Sequence, residues 1–567
     1  MTRSCRTCLA AAVAVLTLAA VAASSRAAGP SLEGNWKLKD VGGAGETTLA
    51  LLKIEAKDGK PTVSVLAAPL IRGEVKFEDL KIGDGAVSGQ MKFGGGASAT
   101  VTFSIPKGED KPKTLRGTLQ FGKRPTFAEL ERTDIDTLKA ADAQKQTPAG
   151  QALIPIYRKA LAEREAPLKE LLEKYPDTGA AYTAADMLLG IRAKDGANDA
   201  DLKGPIDAML KVAKPYGPAA EKYAVFSIAQ TLTRAPKASS QAVEFARRAE
   251  KDISKDDTDR YRELVLKNLA WALKKKDKTD EAKEVEATLA KLTKQLDEEF
   301  ERTSIPFKVS PVARKGKGSR VAVVELFTGA QCPPCVSADI AFDAAVKAYK
   351  PADVIFLEYH EHIPGPDPLT NDDTEGRMKF YGKEVRGTPT AFVNGKMTAP
   401  LGGGKDRGEE SFGVLAAAIN KALEDESDAA IKLTATRKGN RVEAEASVSG
   451  LKATGDNVRL RFVLVEEVVH YPGSNDQRFH HHVVRALPGG LEGFEMKEAT
   501  GTQKVLVNLG ELKKGLTEYL AGADKKRAFI DEDRPLDLSK LKLVALIQND
   551  QGHEILQAVQ IDVPEEK

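Results

Sequence analysis

The sequence predicts a multidomain α+β protein: a β-rich N-terminal barrel or sandwich, an α-helical stack, an α/β domain and a C-terminal β-sandwich. Three observations carry that prediction. The hydrophobic period changes from two to 3.6 and back again along the chain. The 567 residues correspond to roughly four domains at about 150 residues each. A closely spaced cysteine pair, Cys332 and Cys335, falls where an apolar strand pattern gives way to a helical one. The period changes set the domains at 29–132, 134–302, 305–426 and 428–567, after a segment 1–28 of a different kind.

That first segment reads as a cleaved export signal. Arg3 and Arg6 precede an apolar run from Leu9 to Ala23, and Ser25-Arg26-Ala27 offers a small-residue cleavage site. The expected location is therefore extracytoplasmic, in a bacterial periplasm or cell envelope. Cys5 and Cys8 precede the apolar run, which argues against lipid attachment, and processing would remove them. The run is too short to favour a permanent anchor, and no later stretch approaches the roughly eighteen apolar residues of a membrane helix.

Between Gly34 and Arg132 short apolar runs alternate with glycine-rich turns, at Thr48–Ile54, Thr62–Leu66, Ala99–Ile105 and Thr114–Phe121, which is an antiparallel β pattern. The opening Gly34-Asn35-Trp36 resembles the Gly-x-Trp start of lipocalin-like barrels. A small barrel with Trp36 in its core and a ligand-binding calyx are both compatible with it.

From Asp134 to Arg302 the period becomes helical. Leu266, Leu269, Ala270 and Leu273 share one face, as do Val285, Leu289, Leu292 and Leu296, with a polar turn at Lys274–Asp280 between them. The region resembles a tetratricopeptide-type stack, although no clean 34-residue consensus is present. Such a stack is a candidate docking element for an envelope-associated partner, or a spacer.

The third region reads as βαβ. Strands are expected at Val321–Phe327, Val354–Leu357 and Thr390–Val393, the last followed by an Asn394-Gly395 hairpin turn. A helix starts near the cysteines and continues through Ala338, Phe342 and Val346, and another spans Phe412–Leu423. From Asp428 to Val563 alternation returns, as in Val458, Leu460, Phe462 and Leu464, and predicts the sandwich.

The chemistry centres on Cys332-Pro333-Pro334-Cys335. A cysteine at a helix start lies near unsatisfied N–H groups and the positive end of the dipole, which favour thiolate over thiol. Cys332 is thus the candidate nucleophile, expected to be exposed enough for exchange, and Cys335, on the same helix face, the buried resolving thiol. Pro333 and Pro334 supply no N–H, so the Cys332 thiolate has fewer donors. A potential more reducing than the ~−120 mV of strongly oxidising enzymes follows. A metal site or a structural disulfide would use the same pair, with His360 or His362 adding a ligand, but no second close-spaced ligand pair accompanies it. No metal and no cofactor are therefore expected, and no nucleotide-binding glycine fingerprint is present.

The run Val323-Val324-Glu325-Leu326-Phe327-Thr328 leading to CPPC, together with Arg386-Gly387-Thr388-Pro389-Thr390, resembles the thioredoxin superfamily. Tyr359-His360, Asp367-Pro368 and Arg377–Tyr381, with the C-terminal His480-His481-His482, are similar to exported outer-membrane-associated members that append a sandwich. The resemblance implies that Cys332 attacks and Cys335 resolves, and that Pro389 is a cis-proline beside the active site, where Thr388 presents main-chain groups to a substrate peptide. It also implies an acid, Glu325, beneath the resolving cysteine, with a raised pKa suited to taking its proton. A strand-end glutamate reaching solvent is the alternative. His480 and His482 share a strand face and would chelate only if a third ligand such as His470 converged; hydrogen bonding within the sandwich is the other reading. His360 and His362 are placed at the rim of the site.

The 84 basic and 82 acidic residues nearly balance, so neither nucleic acid nor an anionic membrane is an expected partner. The expected activity is thiol–disulfide exchange with protein thiols, in the reductive direction, recycled by a redox partner protein. The alternative is an envelope scaffold with a catalytically weak thioredoxin-like module.

Overall fold

The computed structural model describes residues 31–564, apart from 44, 58–59, 72, 84, 94–97, 122–123, 238 and 316. The expected signal segment, residues 1–28, lies outside the described residues. The chain forms two compact units, 1–252 and 253–567, so the helical region is divided between them instead of forming one body.

In the first unit, eight antiparallel strands follow one another in a meander that curls until Gly34–Asp40 pairs with Arg124–Thr133, giving a nearly closed barrel. Strict alternation drives it. In Ser98–Ser104, for example, Ala99, Val101 and Phe103 point inward while the residues between them do not. Trp36, Leu38, Leu52, Met91, Phe103 and Leu119 fill the interior. The Trp36 indole N–H donates to the Leu32 carbonyl at 2.8 Å, and Arg132 covers the ring. Among the described residues, six α-helices follow between Pro148 and Lys251.

The second unit begins with a helical hairpin, Asp259–Lys275 and Thr279–Thr303, in the expected place. Its main sheet orders the strands Lys396–Met397, Thr390–Val393, Ala322–Thr328, Val354–His360, Phe479–Ala486, Gly455–His470, Leu541–Asn549 and Glu554–Val563. Strands from the cysteine-bearing region and from the C-terminal region thus lie in one sheet, joined where Glu358 pairs with Val483. Facing layers do exist at the C-terminus: Ala430–Lys438, Arg441–Ser449 and Gly501–Asn508 form a second sheet whose Leu433, Val442 and Ala446 pack on Leu460, Phe462 and Leu543 of the first. The sandwich is therefore not self-contained, because one of its layers continues into the cysteine-bearing region. A helix absent from the sequence reading, Leu509–Lys526, buries Leu509, Leu516 and Leu520 in the same core. Among the described residues no helix is long and apolar enough to cross a membrane.

Candidate functional site

Ala322–Thr328 is buried along its whole length and sandwiched between two cores. Val324 and Leu326 face Ala338, Ala341 and Phe342 of the helix Val336–Ala348. Val323 and Phe327 face the opposite side, with Tyr359, Tyr381 and Phe392. This parity decides what each side chain can reach. Cys332 caps a short 3-10 turn, Pro333–Cys335, that runs straight into Val336–Ala348.

The two cysteines are joined as a disulfide. The Cys332 sulfur lies 3.7 Å from the Thr388 carbonyl oxygen and receives the Thr388 hydroxyl at 3.3 Å. The Thr388–Pro389 peptide bond is cis. The Thr388 hydroxyl is a side-chain donor beyond the backbone donors that the sequence suggests. The expected exposure of Cys332 is not what the fold gives: Cys332 is 1% exposed and Cys335 0%, whereas Pro333 and Pro334 between them face solvent.

A strap from the C-terminal region lies over the segment before Cys332. Ser474 donates to the Gln331 side chain at 2.6 Å, and Asn475 donates to the carbonyls of Ala330 and Gly329 at 3.3 Å each. The helical hairpin anchors the strap. Arg260 donates to the Pro472 carbonyl at 2.9 Å, and Arg478 forms two hydrogen bonds to Glu263, at 2.8 and 2.9 Å, and one to Asp297 at 2.6 Å. Burial raises the Glu263 pKa, but Arg478 and Arg260 outweigh it and hold the carboxyl down at about 2.

Glu325 departs from both readings offered for it. It is fully buried, so it does not reach solvent, and it lies on the sheet face away from the cysteine-bearing helix. There Arg377 donates to it at 2.8 Å and the Tyr381 hydroxyl donates to its other oxygen. Both oxygens are thus engaged by the helix Asp372–Tyr381. A buried carboxyl on the cysteine side is Asp339, one helical turn after Cys335, which accepts from the Thr328 hydroxyl at 2.6 Å. Burial and the neighbouring Glu358 raise its pKa well above the usual range. The i, i+4 spacing from Cys335 was the signal that could have found it.

The histidines also differ from expectation. His360 ends the strand Val354–His360 and is 0% exposed, not at a rim. Its Nδ1 donates to Asp367 Oδ2 at 2.9 Å, and the same oxygen accepts the Ala330 N–H at 2.6 Å, which ties the buried histidine to the loop before the cysteines. Burial lowers the His360 pKa, but Asp367 and Glu358 push it up to about 10. His362 is half-buried, stacked on Tyr519 at the edge of a cleft of about 360 Å³ that Arg527 also lines. His480 does not pair with His482 or His470. It packs edge-on against His360, with ring centres 4.8 Å apart, and burial lowers its pKa to about 3. His481 turns instead to Asp343 at 2.7 Å, and His470 to Asp297 at 3.0 Å.

No family profile and no curated protein matches the chain. Among solved structures, it is similar to HBP35 of Porphyromonas gingivalis at 16% identity, over 45% of this chain and 79% of that one, with a TM-score of 0.32. It is also similar to the Pseudomonas fluorescens alkylpurine DNA glycosylase AlkC bound to DNA containing an abasic site analog, at 10% identity over 73% and 91%, with a TM-score of 0.14. Both likenesses are too slight to carry a fold or a function.

Proposed function

We propose that this protein is an exported thiol–disulfide oxidoreductase that exchanges disulfides with protein thiols through Cys332 and Cys335 on a thioredoxin-like domain, with reduction of the partner favoured. The observation that supports it most is the Cys332 sulfur at a helix start, set against the carbonyl of Thr388 at the cis Thr388–Pro389 bond. In the reduced protein, the Cys332 thiolate attacks one sulfur of a partner disulfide and expels the other as a thiol. Cys335 then attacks the Cys332 sulfur, releases the second partner thiol and leaves the Cys332–Cys335 disulfide. Two electrons have passed to the partner, and a redox partner protein must return them. Thr388 hydrogen-bonds the thiolate and offers main-chain groups to the incoming peptide. Export rests on the pattern of residues 1–28 alone, and docking of an envelope-associated partner on a tetratricopeptide-type helical region rests on helical periodicity.

The burial of both sulfurs constrains the mechanism. Exchange with a macromolecule therefore requires the segments around the closed disulfide to shift, and the Gly473–Gln477 strap, which lies on Gly329, Ala330 and Gln331 just before Cys332, is the element we single out for that movement. The same burial favours a second reading, an envelope scaffold in which the disulfide is structural. Insulin reduction by the whole protein separates them. Turnover that disappears in Cys332→Ser and in Cys335→Ser supports the oxidoreductase; no turnover in the wild type supports the scaffold.

A further inference from the structure

Glu358 and His360 stand two apart on one strand, so their side chains leave the same face of the sheet. His480, which begins in the neighbouring strand Phe479–Ala486, brings its ring against them. One donor atom from each of the three lies within 4.8 Å of the other two, and all three residues are buried. His360 Nε2 and Glu358 Oε1 are 3.6 Å apart, too far for a hydrogen bond. Two ligands on a tetrahedral zinc, each about 2.1 Å from the metal, would sit roughly 3.4 Å apart.

The outer nitrogen of each ring is already fixed. The Tyr471 carbonyl, 3.0 Å from His480 Nε2, can only accept, so that nitrogen carries the hydrogen and Nδ1 presents its lone pair. Asp367 does the same for His360 at Nδ1 and turns Nε2 toward Glu358. An acceptor behind each imidazole is the arrangement that orients metal-ligating histidines. The inner atoms are left over: His360 Nε2 and Glu358 Oε2 are buried with no hydrogen-bond partner. Asp367 and Glu358 favour a proton on His360 in the metal-free protein; zinc would displace that proton from Nε2, take over its charge and engage both inner atoms.

We propose that Glu358, His360 and His480 form a buried zinc site. Two imidazoles and one carboxylate suit zinc, whereas calcium and magnesium demand oxygen ligands throughout. Asp367 is the positioning residue behind His360. The site is independent of the cysteines, which are tied up in their own disulfide.

The test uses the whole, oxidised protein, stripped with a chelator, then loaded with zinc or with cobalt(II) and desalted. About one equivalent of metal should be retained, the melting temperature should rise, and cobalt should give visible d–d bands without a thiolate charge-transfer band. The same result is expected for the Cys332→Ser/Cys335→Ser double variant, which removes the thiolates of the CPPC pair. Affinity should be lost in His480→Gln and fall about 10–100-fold in Asp367→Asn, while His470→Gln, whose imidazole bonds Asp297 instead, binds as the wild type. No retained metal and no thermal shift in the oxidised wild type would overturn the site, as would binding that survives His480→Gln. Neither outcome bears on insulin reduction, so the two proposals fail separately.

Discussion

Gly473 presses its backbone against the carbonyl of Ala330, two residues before Cys332: a side-chain carbon at 473 would sit 2.4 Å from that oxygen. Only a glycine lets the strap lie so close. Gly473→Ala should therefore lift the strap, at a cost of about 1–3 kcal/mol in stability. The Cys332–Cys335 disulfide should then be reduced faster by a bulky thiol at a temperature where the protein remains folded. Unchanged reduction kinetics would mean that the strap does not control access.

The anchor of that strap should respond to acid. Glu263 has its pKa held at about 2, below the ordinary 4.5, by Arg478 and Arg260 despite burial. A depressed carboxylate contributes stability that is complete above its unfolded value and fades as pH falls toward its folded one. The contribution is about 3 kcal/mol. Urea unfolding followed from pH 6 to 2 should show this loss between about pH 5 and 2. Glu263→Gln should be less stable at neutral pH and lack that part of the slope.

Glu325 is expected to matter for stability and not for exchange. Glu325→Gln leaves the buried Arg377 charge without its partner, which should cost about 3–5 kcal/mol. Insulin reduction per folded molecule should be unchanged, because the carboxyl faces away from the cysteine-bearing helix. A specific loss of the second exchange step in this variant would restore the role that sequence resemblance suggested.

The Thr388 hydroxyl is a side-chain donor to the Cys332 sulfur. Removing it in Thr388→Val should disfavour the thiolate and make the redox potential more negative by roughly 30 mV or more. Equilibration against glutathione measures the shift. The wild-type value should lie well below ~−120 mV, since Pro333 and Pro334 offer no N–H.

How much of this was legible in the sequence depended on the distance over which each feature is set. Cys332, Cys335 and the helix after them were readable because a strand-to-helix junction is a local pattern, and the strand and turn at Thr390–Gly395 followed from apolar residues and Asn-Gly. Glu325 was misplaced because a strand buried on both faces has no polar side to reveal its parity. The Glu358, His360 and His480 cluster joins segments that meet only where the two halves of the long sheet pair, at Glu358 and Val483, and no periodicity announces that pairing. The strap was hidden for the same reason: its contacts to Gly329, Ala330 and Gln331 cross from the C-terminal strands to the cysteine loop.

The most direct test of the thiol–disulfide role is to trap the first chemical step. Whole, reduced Cys335→Ser protein is mixed with a disulfide-bonded protein such as insulin, and the products are separated without reductant and mapped by mass spectrometry. A mixed disulfide at Cys332 should accumulate, because no resolving thiol remains, and should be absent from Cys332→Ser. A folded Cys335→Ser protein that forms no adduct, while small thiol reagents still modify Cys332, would rule out exchange through this pair.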